Sequence, residues 1–240
     1  MHEQDWKTKD LDVVYFVREG ENEELKYSLR SIAENLEFHS LWIYGGKPAG
    51  IEPDNFVRIP QTGGGTEWDR VRANFRLVGM NQKISENFIL MNDDFFINQH
   101  TEEIPPAIRG SLRDHYEKIE RKYHGTTPYT IELRRTERAL EALGCTTNSY
   151  ELHIPMIINR HKLLEIIGTF PDRHATRTLY GNWNRIGGEA REDVKVVEID
   201  TAFDPEGQFI SSDDATWGNT PLGNFIKDKY PRRSKWETGR

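Results

Sequence analysis

Several features that would place this chain in a familiar class are scarce or missing. The 240 residues include one cysteine, Cys145, which excludes an intramolecular disulfide framework and is typical of a reducing compartment. The most apolar stretches, residues 87–92 and 154–158, are too short to span a bilayer, and residues 1–10 lack the apolar segment of a secretory signal. The sequence therefore predicts a cytoplasmic protein without a membrane span.

Repeats, low-complexity tracts and an excess of positive charge are also missing. The 32 basic and 39 acidic residues give a net charge of -7, which disfavours nucleic acid as a partner because its binding depends on neutralised phosphates. With 36% hydrophobic residues, the chain can bury a sizeable core. We expect residues 1–240 to form a single catalytic domain.

Short apolar runs and amphipathic segments alternate through the first hundred residues. Strand-like runs at residues 12–17, 41–44, 56–59 and 88–91 alternate with helical patterns at residues 23–36 and 66–78. Asn22 is a plausible N-cap of the first helix. This order predicts an α/β fold with a mostly parallel sheet flanked by helices.

The middle and the end of the chain have a different pattern. Residues 108–123 and 130–143 are charged and helical, and we interpret residues 99–149 as a helical insertion or a lid. Further along, residues 150–155 and 194–199 are extended, whereas residues 159–167 and 221–227 are helical.

Two adjacent carboxylates follow the apolar run at residues 88–91. Asp93 and Asp94 would lie at the carboxyl end of a buried strand, where open α/β sheets bind their ligands. Carboxylates near a core need compensation, which a hard divalent cation such as Mg²⁺ or Mn²⁺ supplies while it also bridges a diphosphate. The alternative is a strand end capped by two solvated aspartates.

Several other side chains have both a functional and a structural interpretation. The run Gly63-Gly64-Gly65 lacks the P-loop signature and is either a phosphate-approaching turn or a flexible loop. Arg173 and Arg177, one helical turn apart, suit a diphosphate clamp or surface ion pairs.

Near the end of the chain, the segment Ser211–Asp214 with Trp217 could contact a metal or an acceptor, or it could cap a turn. His153 lies in an apolar frame that would hold it in place as a general base, although a lone histidine is more often a structural residue.

Four blocks of the chain, in this order, resemble the Stealth family of sugar-phosphate transferases. The blocks are DVVYFVREGENEELKYSLRSIAENL, LWIYGG, FILMNDDFFI and LHIPMIINRHKLLEII. The family's Asn-Asp-Asp segment matches Asn92-Asp93-Asp94, and its His-x-Pro segment matches His153-Ile154-Pro155.

The resemblance implies a glycosyltransferase type A-like fold that binds a nucleotide-diphospho-sugar donor. It also implies that an acceptor hydroxyl attacks the β-phosphate, so that sugar-1-phosphate is transferred and a nucleoside monophosphate is released. In nucleotide-sugar transferases the first strand approaches the base, so Asp12, Tyr15 and Arg18 are candidate donor contacts. The family's Trp-Val-Asp/Asn-Gly segment is Phe-Val-Arg-Glu-Gly at residues 16–20 here, which leaves the donor open.

Our hypothesis is a metal-dependent sugar-phosphate transferase. Asp93 and Asp94 would hold Mg²⁺ or Mn²⁺ against the diphosphate, Arg177 with Arg173 would offset phosphoryl charge, and His153 would accept the proton of the acceptor. The acceptor would be a glycan or another hydroxyl compound, including a modified nucleic-acid base. Two alternatives are a conventional metal-dependent glycosyltransferase and a non-catalytic nucleotide-sugar-binding protein.

Overall fold

The computed structural model describes residues 6–60, 67–199 and 201–239 and confirms the predicted α/β fold. In chain order its elements are β1 (Asp12–Val17), α1 (Glu23–Asn35), β2 (Leu41–Gly45), β3 (Asn55–Arg58), α2 (Glu67–Met80), β4 (Asn87–Met91), β5 (Phe95–Ile97), β6 (Ala107–Ile108), α3 (Leu112–Tyr123), α4 (Pro128–Ala142), β7 (Met156–Asn159), α5 (Arg160–Thr169), α6 (Thr176–Trp183), β8 (Glu189–Ala190), β9 (Phe209–Ser211) and α7 (Pro221–Lys229).

The central sheet has the strand order β3-β2-β1-β4-β7. The first four of these strands are parallel, and β7 pairs with β4 in the antiparallel direction. Since β1 and β4 are parallel neighbours, their carboxyl ends, at Val17 and Met91, reach the same edge of the sheet.

Alternate side chains of the strands pack into two separate cores, as the two-residue period of a strand requires. Val13 and Tyr15 of β1 join α1 on one face, where Leu25, Leu29 and Ile32 are fully buried. On the other face, Val14 and other strand residues pack against α2, α5 and α6. The sheet is therefore covered on both faces, as its nearly continuous apolar strands predict.

Side-chain caps fix where several helices begin. Asn22 accepts a hydrogen bond from the Leu25 backbone N–H, which confirms the predicted N-cap of α1. Helix α4 begins earlier than predicted, at Pro128. The Thr127 side chain caps it by accepting a hydrogen bond from the Thr130 backbone N–H. The helix predicted from residue 108 begins at Leu112, after the Ser111 cap.

Two predicted extended segments are not strands in the structure. Residues 150–155 have no ladder partner, and of residues 194–199 only Lys195 forms a bridge, with Ser211. Val197 and Ile199 are exposed, so their β-branched side chains lack a packing surface that would extend this pairing.

Short secondary sheets extend the molecule beyond the main one. β5 pairs with β9, and β6 pairs with β8.

Helices α3 and α4 pack together around Leu112, Tyr116 and Leu133. Their interpretation as an insertion or lid stays a prediction. The glycine run at residues 63–65 lies outside the described residues, and none of the described helices is long and apolar enough to cross a membrane.

Candidate active site

A broad cleft opens at the edge of the sheet where β1 and β4 end. Ten acidic and four basic residues contribute to the described part of its lining. The acidic residues are Glu19, Glu21, Glu23, Glu24, Asp93, Asp94, Glu132, Glu151, Asp213 and Asp214, and the basic residues are Arg18, Arg70, Arg177 and Lys195. A diphosphate entering such a cleft would meet net negative charge, so its binding requires a further cation.

Asp93 and Asp94 follow β4 directly and line this cleft, where the sequence predicts them. The Asn22 side chain donates a 2.6 Å hydrogen bond to Asp93 Oδ2, so the α1 cap also orients this carboxylate. Burial raises the pKa of Asp93, and repulsion from Asp94 adds to this effect, while the bond from Asn22 opposes it. Lys195 Nζ lies 3.0 Å from Asp94 Oδ2.

Glu24 in the first turn of α1 is a third carboxylate of the cleft that the sequence analysis did not single out. Burial raises its pKa to about 7; the hydrogen bond from Ser212 opposes this rise, whereas the charges of Asp94, Asp93 and Asp214 add to it. A glutamate in a first helical turn is ordinarily explained by the helix dipole, so its sequence position gave no signal of this role.

Arg177 forms no ion pair with a carboxylate of the described residues. Its Nη2 donates a 2.6 Å hydrogen bond to the Ile154 carbonyl, and its buried Nε has no partner among the described residues. Burial lowers its pKa, yet a guanidinium stays protonated. An anion in the cleft would satisfy this charge.

Arg173 does not share a helical turn with Arg177, in contrast to the sequence prediction. α6 begins at Thr176, and Arg173 precedes it. The Arg173 guanidinium pairs with Glu132 at 2.6 Å and does not contribute to the cleft lining, although Glu132 does. The predicted arginine clamp is therefore reduced to Arg177.

His153 does not contribute to the described cleft lining but lies beside it. Its ring packs edge-on against the Phe95 ring with centroids 6.1 Å apart, and Phe95 directly follows Asp94. The Nδ1 atom lies 2.9 Å and 3.0 Å from the two carboxylate oxygens of Asp193, which also pairs with Arg109 at 2.7 Å. Asp193 thus engages Nδ1, and the predicted role of His153 as a general base would fall to Nε2.

Of the three donor contacts predicted on or just after the first strand, only Arg18 lines the cleft. Tyr15 is fully buried in the core, with its hydroxyl 2.8 Å from Ser28 Oγ. Asp12 lies at the opposite end of β1, where it accepts hydrogen bonds from Ser40 (2.6 Å) and the Ser85 backbone (2.7 Å). The structure therefore places Asp12 and Tyr15 in structural roles.

The segment Ser211–Asp214 combines the two interpretations that its sequence left open. Asp213 accepts hydrogen bonds from the backbone N–H groups of Ala215 and Thr216, so it caps a turn. Asp213, Asp214 and Trp217 also contribute to the cleft lining. Contact with a metal or an acceptor at this rim stays a prediction.

Two further polar groups of the lining are buried and unsatisfied. Asn74 Oδ1 and His174 Nδ1 have no partner among the described residues, although each residue is only 7% exposed. Phe16 and Phe75 line the same cleft with their rings 4.8 Å apart. Because buried polar groups are ordinarily paired, a ligand that occupies this part of the cleft would complete their hydrogen bonding.

The carboxylates of the cleft suit a divalent cation held together with a diphosphate. The described residues contain no group of three acidic, histidine or cysteine side chains arranged as a ready-made cage. Mg²⁺ ordinarily binds through one or two carboxylates plus substrate phosphates and water, so Asp93 and Asp94 would be the residues to hold it.

Comparison with protein-family models gives no match, and comparison with curated proteins gives no relative by sequence. Among solved structures, the apo form of the glycosyltransferase GlyE from Streptococcus pneumoniae TIGR4 is similar at a TM-score of 0.46 and 8% identity, over 93% of this chain and 60% of that chain. A second GlyE structure gives 0.41 and 11%, over 94% and 61%.

The chain thus spans about three fifths of the length of GlyE. A likeness of this size carries no inference about activity. With no family model matched, the resemblance to the Stealth family stays a prediction.

Proposed function

We propose that this protein is a metal-dependent nucleotide-sugar transferase that moves a sugar-1-phosphate onto an acceptor hydroxyl. The observation that carries the proposal is that one cleft contains both carboxylates suited to a metal ion and an arginine suited to a phosphate. Asp93 and Asp94 lie together in an acidic cleft where Lys195 pairs with Asp94 alone, so their charge calls for a further cation. The Arg177 guanidinium, whose buried Nε has no partner among the described residues, needs an anion. A nucleotide diphosphate with its divalent ion supplies both.

Asp93 and Asp94 would hold the ion, Mg²⁺ or Mn²⁺, which when bound would neutralise charge on the diphosphate. Arg177 would stabilise the negative charge that grows on the transferred phosphoryl group. Arg18 would approach the donor from the end of β1, where it lines the same cleft.

His153 would act as the general base. The acceptor oxygen forms a bond to the β-phosphorus, the bond between this phosphorus and the bridging oxygen breaks, and a nucleoside monophosphate leaves with that oxygen. The acceptor proton passes to His153 Nε2, and the Asp193 carboxylate stabilises the resulting imidazolium from the Nδ1 side.

A panel of nucleotide sugars, with and without Mn²⁺, tests the proposal through thermal shifts and product analysis. A true donor should raise the melting temperature only when Mn²⁺ is present, because a ligand selective for the native state stabilises it. Turnover should release a nucleoside monophosphate. Release of a nucleoside diphosphate would instead establish the conventional glycosyl transfer that the sequence left open.

The variant Asp94→Ala provides the residue-level test, with Asp228→Asn as its control, since Asp228 is exposed and outside the cleft. We expect Asp94→Ala to reduce kcat/KM by roughly 10³ or more and to abolish the Mn²⁺-dependent shift. Binding of a nucleotide sugar without any turnover would support the non-catalytic alternative. Near-full activity of Asp94→Ala would refute the assignment.

A further inference from the structure

Lys195 forms an ion pair with one of the two carboxylates assigned to the metal. Its Nζ lies 3.0 Å from Asp94 Oδ2, and the lysine and aspartate side chains are 21% and 16% exposed. Lys195 also contributes to the cleft lining. A cation of the chain thus lies against one oxygen of a carboxylate that is assigned to the divalent ion.

The backbone around this pair holds both partners in register. Ser211 of β9 pairs with Phe95 of β5 on one side and forms a bridge with Lys195 on the other. The Val196 N–H donates to the Ser211 carbonyl, and the Ser212 N–H donates to the Asp94 carbonyl. Movement of the Lys195 ammonium therefore requires rotation of its side chain but no displacement of the segment that carries it.

We propose that Lys195 is a built-in counter-ion that leaves Asp94 when the divalent ion binds and then contacts a phosphate of the donor. The inference rests on the proposed function, because it concerns the same metal and the same diphosphate. An ammonium and a divalent ion on the same carboxylate repel each other strongly, so lysine and metal compete for Asp94. The displaced ammonium stays next to the metal, where the diphosphate brings compensating negative charge.

This arrangement gives Lys195 two opposite effects on binding. Without donor, the lysine weakens metal binding because it must first release Asp94. With donor, it strengthens the ternary complex because it contributes a phosphate contact. An ion pair away from the assigned metal ligands, such as that of Lys227 with Glu23, would show neither effect.

Lys227 provides a matched control on the rim of the cleft. It pairs with Glu23 at 3.1 Å and is 23% exposed, so the two pairs are alike in length and in the exposure of the lysine, whereas Glu23 (52%) is more exposed than Asp94 (16%). Lys227 does not contribute to the cleft lining, and its partner is not an assigned metal ligand.

The experiment measures Mn²⁺ binding to the full chain by electron paramagnetic resonance, first alone and then with pyrophosphate as the probe. The variants are Lys195→Met, Lys195→Gln and the control Lys227→Met, each checked for folding by its melting temperature. We expect both Lys195 variants to bind Mn²⁺ alone roughly five- to twentyfold more tightly. At saturating Mn²⁺ they should bind pyrophosphate roughly tenfold more weakly, while Lys227→Met should match the wild type.

The outcomes separate this inference from the proposed function. If the wild type binds no Mn²⁺ with or without pyrophosphate, the metal-dependent function itself fails. If the wild type binds Mn²⁺ and the folded Lys195 variants bind it no more tightly, the exchange is refuted while the function stands. Tighter Mn²⁺ binding with unchanged pyrophosphate binding would refute the phosphate contact.

Discussion

The Asp193 carboxylate contacts both the ring and the backbone N–H of His153. The carboxylate lies 2.9 Å and 3.0 Å from the ring Nδ1, and its Oδ1 also accepts the His153 backbone N–H at 3.0 Å. Although burial opposes it, these bonds and the charges of His153 and Arg109 hold the pKa of Asp193 well below its usual range. The carboxylate is therefore ionised at neutral pH and accepts the hydrogen bond from His153 Nδ1.

Replacement of Asp193 by Asn should impair catalysis more than stability. The amide can donate to Nδ1 and thereby favour the tautomer with its proton on Nε2, which cannot accept the acceptor proton. We expect kcat to fall roughly 10²–10⁴-fold with a small change in donor KM. Steady-state kinetics tests this, with the exposed neighbour variant Glu192→Gln as control. An unchanged kcat would remove His153 from the reaction.

Replacement of Arg177 by Met should separate a catalytic from a structural arginine. The guanidinium is desolvated without a described carboxylate partner, but its loss also removes the donor to the Ile154 carbonyl. We therefore expect the free energy of unfolding to fall by about 1–3 kcal/mol. Turnover should fall roughly 10²–10³-fold. Urea unfolding and kinetics measure both, and Arg173→Met, which breaks the pair with Glu132, should retain activity. A large loss of stability with retained turnover would assign Arg177 to the scaffold.

The Glu24 carboxyl should make the metal-free protein less stable as pH rises. Its pKa is about 7 in the folded state against an ordinary value of 4.5, so between these values the folded state binds more protons than the unfolded state. Stability then decreases with rising pH across this window, by on the order of 2 kcal/mol in total. Urea unfolding between pH 5 and 8 should show this slope for the wild type. The variant Glu24→Gln should lack it, and an identical slope in both proteins would contradict the assignment.

Replacement of Asp12 by Asn should reduce stability while leaving the activity of each folded molecule unchanged. Although burial opposes it, the Ser40, Ser85 and His39 contacts lower the pKa of Asp12 below 3.8, so its carboxylate stabilises the fold above that pH. We expect a loss of about 2–4 kcal/mol at neutral pH, measured by urea unfolding against the exposed control Asp10→Asn. A selective loss of donor affinity would restore the ligand-binding role first predicted for Asp12.

The order of strands and helices is largely a property of the sequence itself. The first four strands and the first two helices follow from the period of their apolar residues, and the Asn22 cap follows from its residue type. The position of Asp93 and Asp94 at a ligand-binding edge also follows, because a buried parallel strand ends just before them.

Only the tertiary structure decided which distant side chains share the cleft. Lys195 comes from a segment that was predicted as extended, and Asp193 directly precedes that segment. Their contacts to Asp94 and His153 span 101 and 40 residues of sequence. Asp12 looked like a donor contact, yet the direction of β1 places it at the opposite edge of the sheet. Sequence periodicity encodes the local interaction of a residue with its own element, whereas ion pairs depend on how elements pack, which no local pattern contains.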